Sequence, residues 1–215
     1  MDSIHPSYRL GDTIAAVATP PGDGGVAIIR VCGKSAFTIV EKLFSGPVSS
    51  YASHTAHYGR LHNLEGAYLD NVLVLVFIGN RSFTGENTVE IQCHGGRLIT
   101  RRILEATLAA GARAALPGEF TFRAFIHGKI DLAQAEAVQE LIAAKNERAL
   151  DAAENQLKGT LSQKILFFKS QLIEIAAVLE AWVDFPEEGL EFASFDELDN
   201  KLDHLLKQMR TLLSS

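Results

Sequence analysis

An alternating stretch followed by two glycines constrains the fold of this chain more than any other segment. From Val89 to His94 apolar and polar residues alternate, and Gly95-Gly96 separates this run from an amphipathic segment that begins at Arg97. Side chains of a strand point to opposite faces in turn, so the apolar residues fit a core while Glu90, Gln92 and His94 share the other face. Strand, glycine turn and helix start together favour a ligand site. The alternative is an ordinary strand whose polar face meets water.

Composition and charge limit the function classes. Hydrophobic residues make up 47% and charged residues 21% of the 215 residues, as in a folded globular protein. The net charge of −6 argues against a protein that grips nucleic acid over its whole surface, because phosphate binding needs clustered Lys and Arg. A local basic patch, or a protein partner that holds RNA, stays open.

Two cysteines, Cys32 and Cys93, lie far apart in apolar surroundings. We expect two reduced, buried thiols in a cytoplasmic protein, with no disulfide framework and no metal site. Residues 1–12 lack the apolar core of a secretory signal, and no apolar run approaches the ~20 residues that a bilayer-spanning helix needs.

The first half of the chain predicts an α/β layer domain, because strand and helix patterns follow one another. Residues 70–78 form a near-continuous apolar run, which predicts a central strand covered on both faces. The other predicted strands are 13–19, 26–31, 55–62 and 113–116, and the predicted helices are 33–44 and 97–110.

The second half predicts helices only, since strand signals nearly vanish after Asp131. Apolar residues from Leu150 to Trp182 recur at helical spacing and predict one long amphipathic helix, which residues 185–189 then break. Ser194 with Glu197 predicts a capping box before a last helix. These helices carry more apolar surface than they can bury against each other, so we expect a partner chain or further sequence to cover them.

Three charged residues stand beside apolar neighbours on separate segments: Arg30, Glu90 and Lys129. Arg30 is either a surface arginine at a strand end or a forked donor for a ligand oxygen. Residues around Lys129 do not form a phosphate-binding loop, because Arg123 and Ile130 occupy positions that need Gly and Ser or Thr. No catalytic motif is present, and we expect neither catalytic residues nor metal ligands in this chain.

Several motifs together resemble the N-terminal and first helical segments of the MnmE (TrmE) family of tRNA-modification GTPases. The resemblance covers nearly the whole chain and preserves the order of the motifs. They are residues 12–16 (DTIAA), 18–22 (ATPPG), 24–26 (GGV), 82–86 (SFTGE), 94–96 (HGG), 117–121 (PGEFT), 123–125 (RAF), 129–137 (KIDLAQAEA) and 184–188 (DFPEE).

The resemblance implies a fold in two parts. Residues 1–127 are expected to form a folate-binding and dimerisation α/β domain with a mixed sheet flanked by helices, similar to the folate-binding domain of the glycine-cleavage T-protein. Residues 128–215 are expected to form the first part of a helical domain. In this family a GTPase domain is inserted in the helical domain.

The resemblance also implies ligands and partners. The family's contacts to 5-formyltetrahydrofolate or a related reduced folate fall on Arg30, Glu90 and Lys129. The N-terminal domain forms a homodimer, and the whole protein works with the flavoprotein MnmG on C5 of the tRNA wobble uridine. GTP, potassium and magnesium belong to the GTPase domain.

The departures from the family pattern matter as well. The GTPase segments and the Cys-x-Gly-Lys ending are not among these residues, and neither Cys32 nor Cys93 matches that ending. We therefore predict that this chain alone binds no GTP. Two alternatives remain: a pure assembly module without a ligand, and a free-standing one-carbon transferase like the T-protein.

Overall fold

A computed structural model of the chain describes residues 11–185 and 194–214. Its internal contacts divide the chain into two compact units, the first ending at Ala135 and the second beginning at Glu136. The predicted boundary between residues 127 and 128 stays a prediction. Among the described residues no helix is both long and apolar enough to cross a bilayer.

The first unit is built on a six-stranded mixed sheet, which confirms the predicted fold class. Its strands are β1 (Ile14–Val17), β2 (Gly24–Cys32), β3 (Thr55–His62), β4 (Tyr68–Phe77), β5 (Thr88–Gly95) and β6 (Arg113–Ala114). The order across the sheet is β3-β4-β5-β2-β1-β6. Every neighbouring pair is antiparallel except β1 with β6, which is parallel.

Helices α1 (Ala36–Glu41) and α2 (Arg97–Ala109) pack against the sheet and enclose the core. The core takes alternate residues of β2, β4 and β5, among them Ile29, Val74 and Ile91. The predicted helix at 33–44 forms only over α1. The prediction that the strand at 70–78 is covered on both faces is wrong: β4 alternates between buried and exposed residues, and Leu73 is 41% exposed. The face opposite the core, called here the open face, is therefore accessible in this chain.

Two glycines hold positions that no other residue fits easily. A Cβ on Gly95 would collide with the carbonyl oxygen of Gly24, where β5 meets β2. Gly33 has φ +133°, in the region that favours glycine, and a Cβ there would lie 2.7 Å from the Asp12 carbonyl oxygen. Close backbone contact at the ends of β2 therefore depends on these two residues.

The remaining helices are α3 (Glu119–Ile126), α4 (Leu132–Ala143), α5 (Glu147–Leu157), α6 (Thr160–Asp184) and α7 (Phe195–Leu213). The single helix predicted from Leu150 to Trp182 is wrong, because Gly159 adopts φ +77° and separates α5 from α6. The capping box is confirmed: the Ser194 hydroxyl accepts from Glu197 N at 3.2 Å, and Ser194 N donates to the Glu197 carboxylate at 2.8 Å. The predicted break at 185–189 lies mostly outside the described residues.

Helices α6 and α7 share a small apolar core of Phe168, Ile175, Leu198 and Leu205. Their outward positions include large apolar side chains that stay exposed, such as Leu166 (61%) and Ile173 (56%). This agrees with the expectation that the helices carry more apolar surface than they bury.

Candidate ligand-binding site on the open face

Arg30 and Glu90 form an ion pair on the open face, because β2 and β5 are neighbours and these two residues are paired in register. Arg30 Nε donates to Glu90 Oε1 at 2.8 Å, and the distance from a terminal guanidinium nitrogen to the same oxygen is 2.7 Å. Among the residues that the structure describes, nothing donates to the other carboxylate oxygen, Oε2. The pair therefore leaves half of the Glu90 carboxylate available.

Partial burial keeps this pair ordered. The side chains of Arg30 and Glu90 are 28% and 16% exposed. The Phe120 ring of α3 lies against the guanidinium, with 5.5 Å between Arg30 Cζ and the ring centroid. Arg30 is thus held between a carboxylate and an aromatic ring, which rules out the reading as a free surface arginine.

Strand register places further side chains beside the pair. Gln92 lies opposite Ile28 of β2 and opposite Leu73 of β4, and Leu75 of β4 lies opposite Glu90. Because Gln92 follows Glu90 by two residues, both point to the open face. At this place the open face is a largely apolar surface that carries one carboxylate, one guanidinium and one amide.

Lys129 lies in the segment after α3, and its ammonium donates to the backbone carbonyl of Asn80 at 2.7 Å. Asn80 belongs to a short 3₁₀ turn between β4 and β5. The side chain is exposed, and within the described part of the chain it makes no ion pair with Glu90. The structure thus brings two of the three predicted site residues into contact, and the third contacts a neighbouring loop.

A buried ionic network that the sequence did not predict fixes α3. Arg123 has a fully buried side chain. Its guanidinium donates to the Asp12 carbonyl oxygen at 2.8 Å, to the Asp12 carboxylate at 2.6 Å, to Glu86 at 3.0 Å and to Glu119 at 3.2 Å. One side chain therefore ties α3 to the start of β1 and to the loop before β5.

Arg113 completes the network from the other side. It donates to the Asp12 carboxylate at 2.6 Å and to the Glu119 carboxylate at 2.6 Å and 3.1 Å. Glu119, also fully buried, accepts in addition from Leu116 N at 2.8 Å. Each of the carboxylates of Asp12, Glu86 and Glu119 is thus paired with at least one of the two arginines.

The network shifts the acidity of its members. Hydrogen bonds from Arg113, with a smaller contribution from Arg123, lower the pKa of Asp12 against the opposing effect of its burial. Burial acts to raise the pKa of Glu119, but hydrogen bonds from Arg113, Leu116 N and Arg123 outweigh it and lower that pKa overall. Both carboxylates are therefore ionised at neutral pH.

A local signal for this network exists in the sequence. Glu119 and Arg123 stand four residues apart in a segment that is otherwise largely apolar, so a helix places both charges on one side. In the sequence, Glu119 served only as part of a family motif, and Arg123 served in addition to exclude a phosphate-binding loop. Asp12 carries no such signal, because its arginine partners lie 101 and 111 positions away along the chain. Arg113 carries none either, because it stands on β6, outside the helix that holds Glu119.

At the end of β5, His94 is held by a buried carboxylate. Asp70 is 7% exposed and accepts from His94 Nδ1 at 2.8 Å, from His94 N at 2.9 Å and from Asn71 N at 2.8 Å. The imidazole itself is 74% exposed. The Asp70 carboxylate thus anchors the strand end that precedes Gly95.

Both cysteines are buried and free, as predicted. Burial raises the pKa of the Cys32 thiol and of the Cys93 thiol to about 11. Neither thiol is therefore a nucleophile at neutral pH. No group of three or more His, Cys, Asp or Glu side chains within 11–185 and 194–214 has an arrangement that could hold a metal ion.

Comparison with known proteins assigns both parts of the chain. Residues 13–129 match the family model described as GTP-binding protein TrmE N-terminus, and residues 132–215 match the MnmE helical domain. The chain therefore belongs to the MnmE (TrmE) family.

Individual relatives carry the name tRNA modification GTPase MnmE. The protein of Protochlamydia amoebophila is 66% identical over 215 residues, which is 100% of this chain and 47% of that protein. The protein of Chlamydia felis is 50% identical over 204 residues, which is 95% of this chain and 45% of that protein. The protein of Chlamydia trachomatis serovar A is 55% identical over 181 residues, which is 84% of this chain and 40% of that protein. The chain thus spans less than half the length of these curated relatives.

Proposed function

We propose that this chain is the folate-binding and dimer-forming part of a tRNA-modification GTPase. Its ligand is 5-formyltetrahydrofolate or a related reduced folate, which binds on the open face at Arg30, Glu90 and Lys129. The complete protein works in the cytoplasm with the flavoprotein MnmG on C5 of the tRNA wobble uridine. Its GTP, potassium and magnesium sites lie in a GTPase domain outside these residues.

The observation that carries this proposal is the one-sided ion pair of Glu90. A pterin ring presents an amino group and a ring N–H side by side, and a carboxylate accepts from both. Arg30 binds only Oε1 of Glu90, so Oε2 is available to the ring. Arg30 also holds the Glu90 carboxylate in a fixed orientation before the ligand arrives, which reduces the ordering cost of binding.

Lys129 binds a different part of the ligand in this proposal. Its ammonium is exposed and its hydrogen bond is to a backbone carbonyl, so a ligand oxygen can replace that partner. A lysine side chain is long and flexible and carries three donors. We therefore assign Lys129 to the formyl or carbonyl oxygen of the bound folate.

Titration calorimetry with 5-formyltetrahydrofolate tests the assignment. Glu90→Gln removes the charge that accepts two donors, and hydrogen bonds to charged groups contribute about 1.5–3 kcal/mol. We expect the dissociation constant to rise by about 10-fold to 100-fold. Glu105→Gln is the matched control, because Glu105 is also paired with an arginine but lies 64% exposed on α2. Equal affinity of wild type and Glu90→Gln contradicts the proposal and favours the assembly module without a ligand.

Dimerisation is supported by the apolar character of the open face. Val26, Tyr58 and Leu73 are 60%, 72% and 41% exposed, and an exposed apolar surface of this kind is typical of a protein–protein interface. Sedimentation of the wild type should give a dimer, and Tyr58→Asp should give a monomer. Leu64→Asp is the control, since Leu64 is 53% exposed in the turn between β3 and β4. A dimer that survives Tyr58→Asp places the interface elsewhere.

A further inference from the structure

We propose that Gln92 is a further ligand-contacting residue, which sets the orientation of the ring by donating to its carbonyl oxygen. This inference rests on the proposed folate site and adds a residue that fixes specificity. Gln92 lies two positions after Glu90 on β5, so the two side chains leave the sheet from the same face. Their Cα atoms are separated by about 6.5–7 Å along the strand.

The first support is the amide itself. Gln92 is half-buried, yet its side-chain amide makes no hydrogen bond to any residue in 11–185 or 194–214. The amide keeps some contact with solvent, so a ligand on the open face can replace that water without breaking a hydrogen bond within the described residues. An amide in this position is therefore suited to a partner that comes from outside the chain.

The second support is the apolar surroundings. Ile28 on β2 and Leu73 on β4 flank Gln92 in register, each about 4.8 Å away in the direction of the backbone hydrogen bonds. A flat heterocycle fits against two apolar side chains while its polar edge meets the amide between them. The register of β5 with its two neighbours thus provides both an apolar surface for the ring and a polar contact for its edge.

The third support is the order of polar groups along β5. Glu90 accepts and cannot donate, whereas the amide of Gln92 donates through its nitrogen. On a pterin the ring N–H that Glu90 would bind is followed directly by the ring carbonyl. The Glu90 carboxylate therefore faces the ring N–H, and the Gln92 amide nitrogen faces the neighbouring ring carbonyl. A ring bound in the flipped orientation would place its N–H donors against the donating amide, so that orientation is disfavoured.

The test compares Gln92→Leu with wild type in titrations with 5-formyltetrahydrofolate. Leucine has a similar size but lacks the polar atoms, so we expect the dissociation constant to rise by about 5-fold to 10-fold, as for the loss of one neutral hydrogen bond. Asn71→Leu is the matched control, because Asn71 is an exposed amide two residues from Leu73 on the same face. The control should bind like wild type.

Two further measurements separate ligand contact from a structural role. The melting temperature of Gln92→Leu should equal or exceed that of wild type, because the change removes an unpaired polar group. For a ring analogue with a thiocarbonyl in place of the carbonyl, which keeps the neighbouring N–H for Glu90 but accepts a weaker hydrogen bond, the difference in affinity between wild type and Gln92→Leu should shrink. Gln92→Ala provides a second variant with the same expected result.

The outcomes are distinguishable. If Gln92→Leu binds the folate as tightly as wild type while Glu90→Gln loses affinity, the assignment of Gln92 is overturned and the folate site stands. If Gln92→Leu weakens binding of the folate and of the analogue to the same extent, the assigned contact is likewise wrong. If Glu90→Gln also binds like wild type, the proposed function fails, and the inference about Gln92 fails with it.

Discussion

Replacing Arg123 with methionine should destabilise the first unit strongly. Methionine preserves much of the apolar volume but removes the donors to Asp12, Glu86 and Glu119. Removing one partner of a buried ion pair costs about 3–5 kcal/mol. Asp12 and Glu119 keep Arg113, whereas among the described residues the Glu86 carboxylate keeps only the thiol of Cys32, at 3.3 Å. We therefore expect the lower end of that range, about 3 kcal/mol.

Urea unfolding followed by circular dichroism measures this loss. With a denaturant slope of about 2 kcal/mol per molar, a loss of about 3 kcal/mol lowers the midpoint by roughly 1.5 M. Arg101→Met is the control, because its pair with Glu105 is 3.5 Å long and both side chains are more than 60% exposed. Surface pairs of this kind contribute about 0.5 kcal/mol or less. A midpoint for Arg123→Met as close to wild type as that of Arg101→Met would refute the reasoning.

Three more predictions concern pH, backbone packing and thiol chemistry. The pKa values of Asp12 and Glu119 are lowered in the folded chain, so on acidification the unfolded chain binds protons at a higher pH than the folded chain does. The urea midpoint should therefore stay constant near neutral pH and fall as the pH drops below about 4. A midpoint that does not change from pH 5 to pH 3 would contradict this. Gly95→Ala should lower the melting temperature by several degrees, because the added methyl group collides with the carbonyl of Gly24. Gly25→Ala is the control and should leave the melting temperature unchanged, because the space around Gly25 is open. Equal melting temperatures of the two variants would contradict the predicted collision. Cys32, with its pKa raised to about 11, should react with a disulfide reagent at pH 8 far more slowly in the folded chain than in urea, and equal rates would show that the thiol is accessible.

Local patterns predicted most elements of the first unit. The strand predicted at 55–62 is Thr55–His62, and the helix predicted at 97–110 ends one residue earlier, at Ala109. These succeed because the period of apolar residues differs between strand and helix. The helix at 33–44 was predicted too long.

Two other predictions failed for identifiable reasons. Apolar periodicity from Leu150 to Trp182 continues through Gly159, so it does not reveal that the backbone turns there. The apolar run at 70–78 predicts burial on both faces, but helices cover one face of β4 only. In both places the pattern of apolar residues indicates which side chains favour burial. It does not indicate where the backbone turns or which element packs against them.

For the candidate site, the sequence identified charged residues but not their contacts. Arg30, Glu90 and Lys129 were selected as three separate charges, and the sequence left the role of Arg30 open. The structure pairs Arg30 with Glu90 across 60 positions of the chain and directs Lys129 to Asn80. The buried network of Arg123 was not predicted, because its bond to Asp12 spans 111 positions.

The sequence by itself determined most strands and helices of the first unit, where α7 begins, and to which family the motifs point. These properties depend on neighbours within a few residues, through backbone geometry, capping and the period of apolar side chains. Only the tertiary structure decided that β5 lies beside β2, which half of the Glu90 carboxylate stays available, and that Arg123 is buried among three carboxylates. Strand order and the pairing of distant charges depend on how the whole unit packs, so no local pattern specifies them.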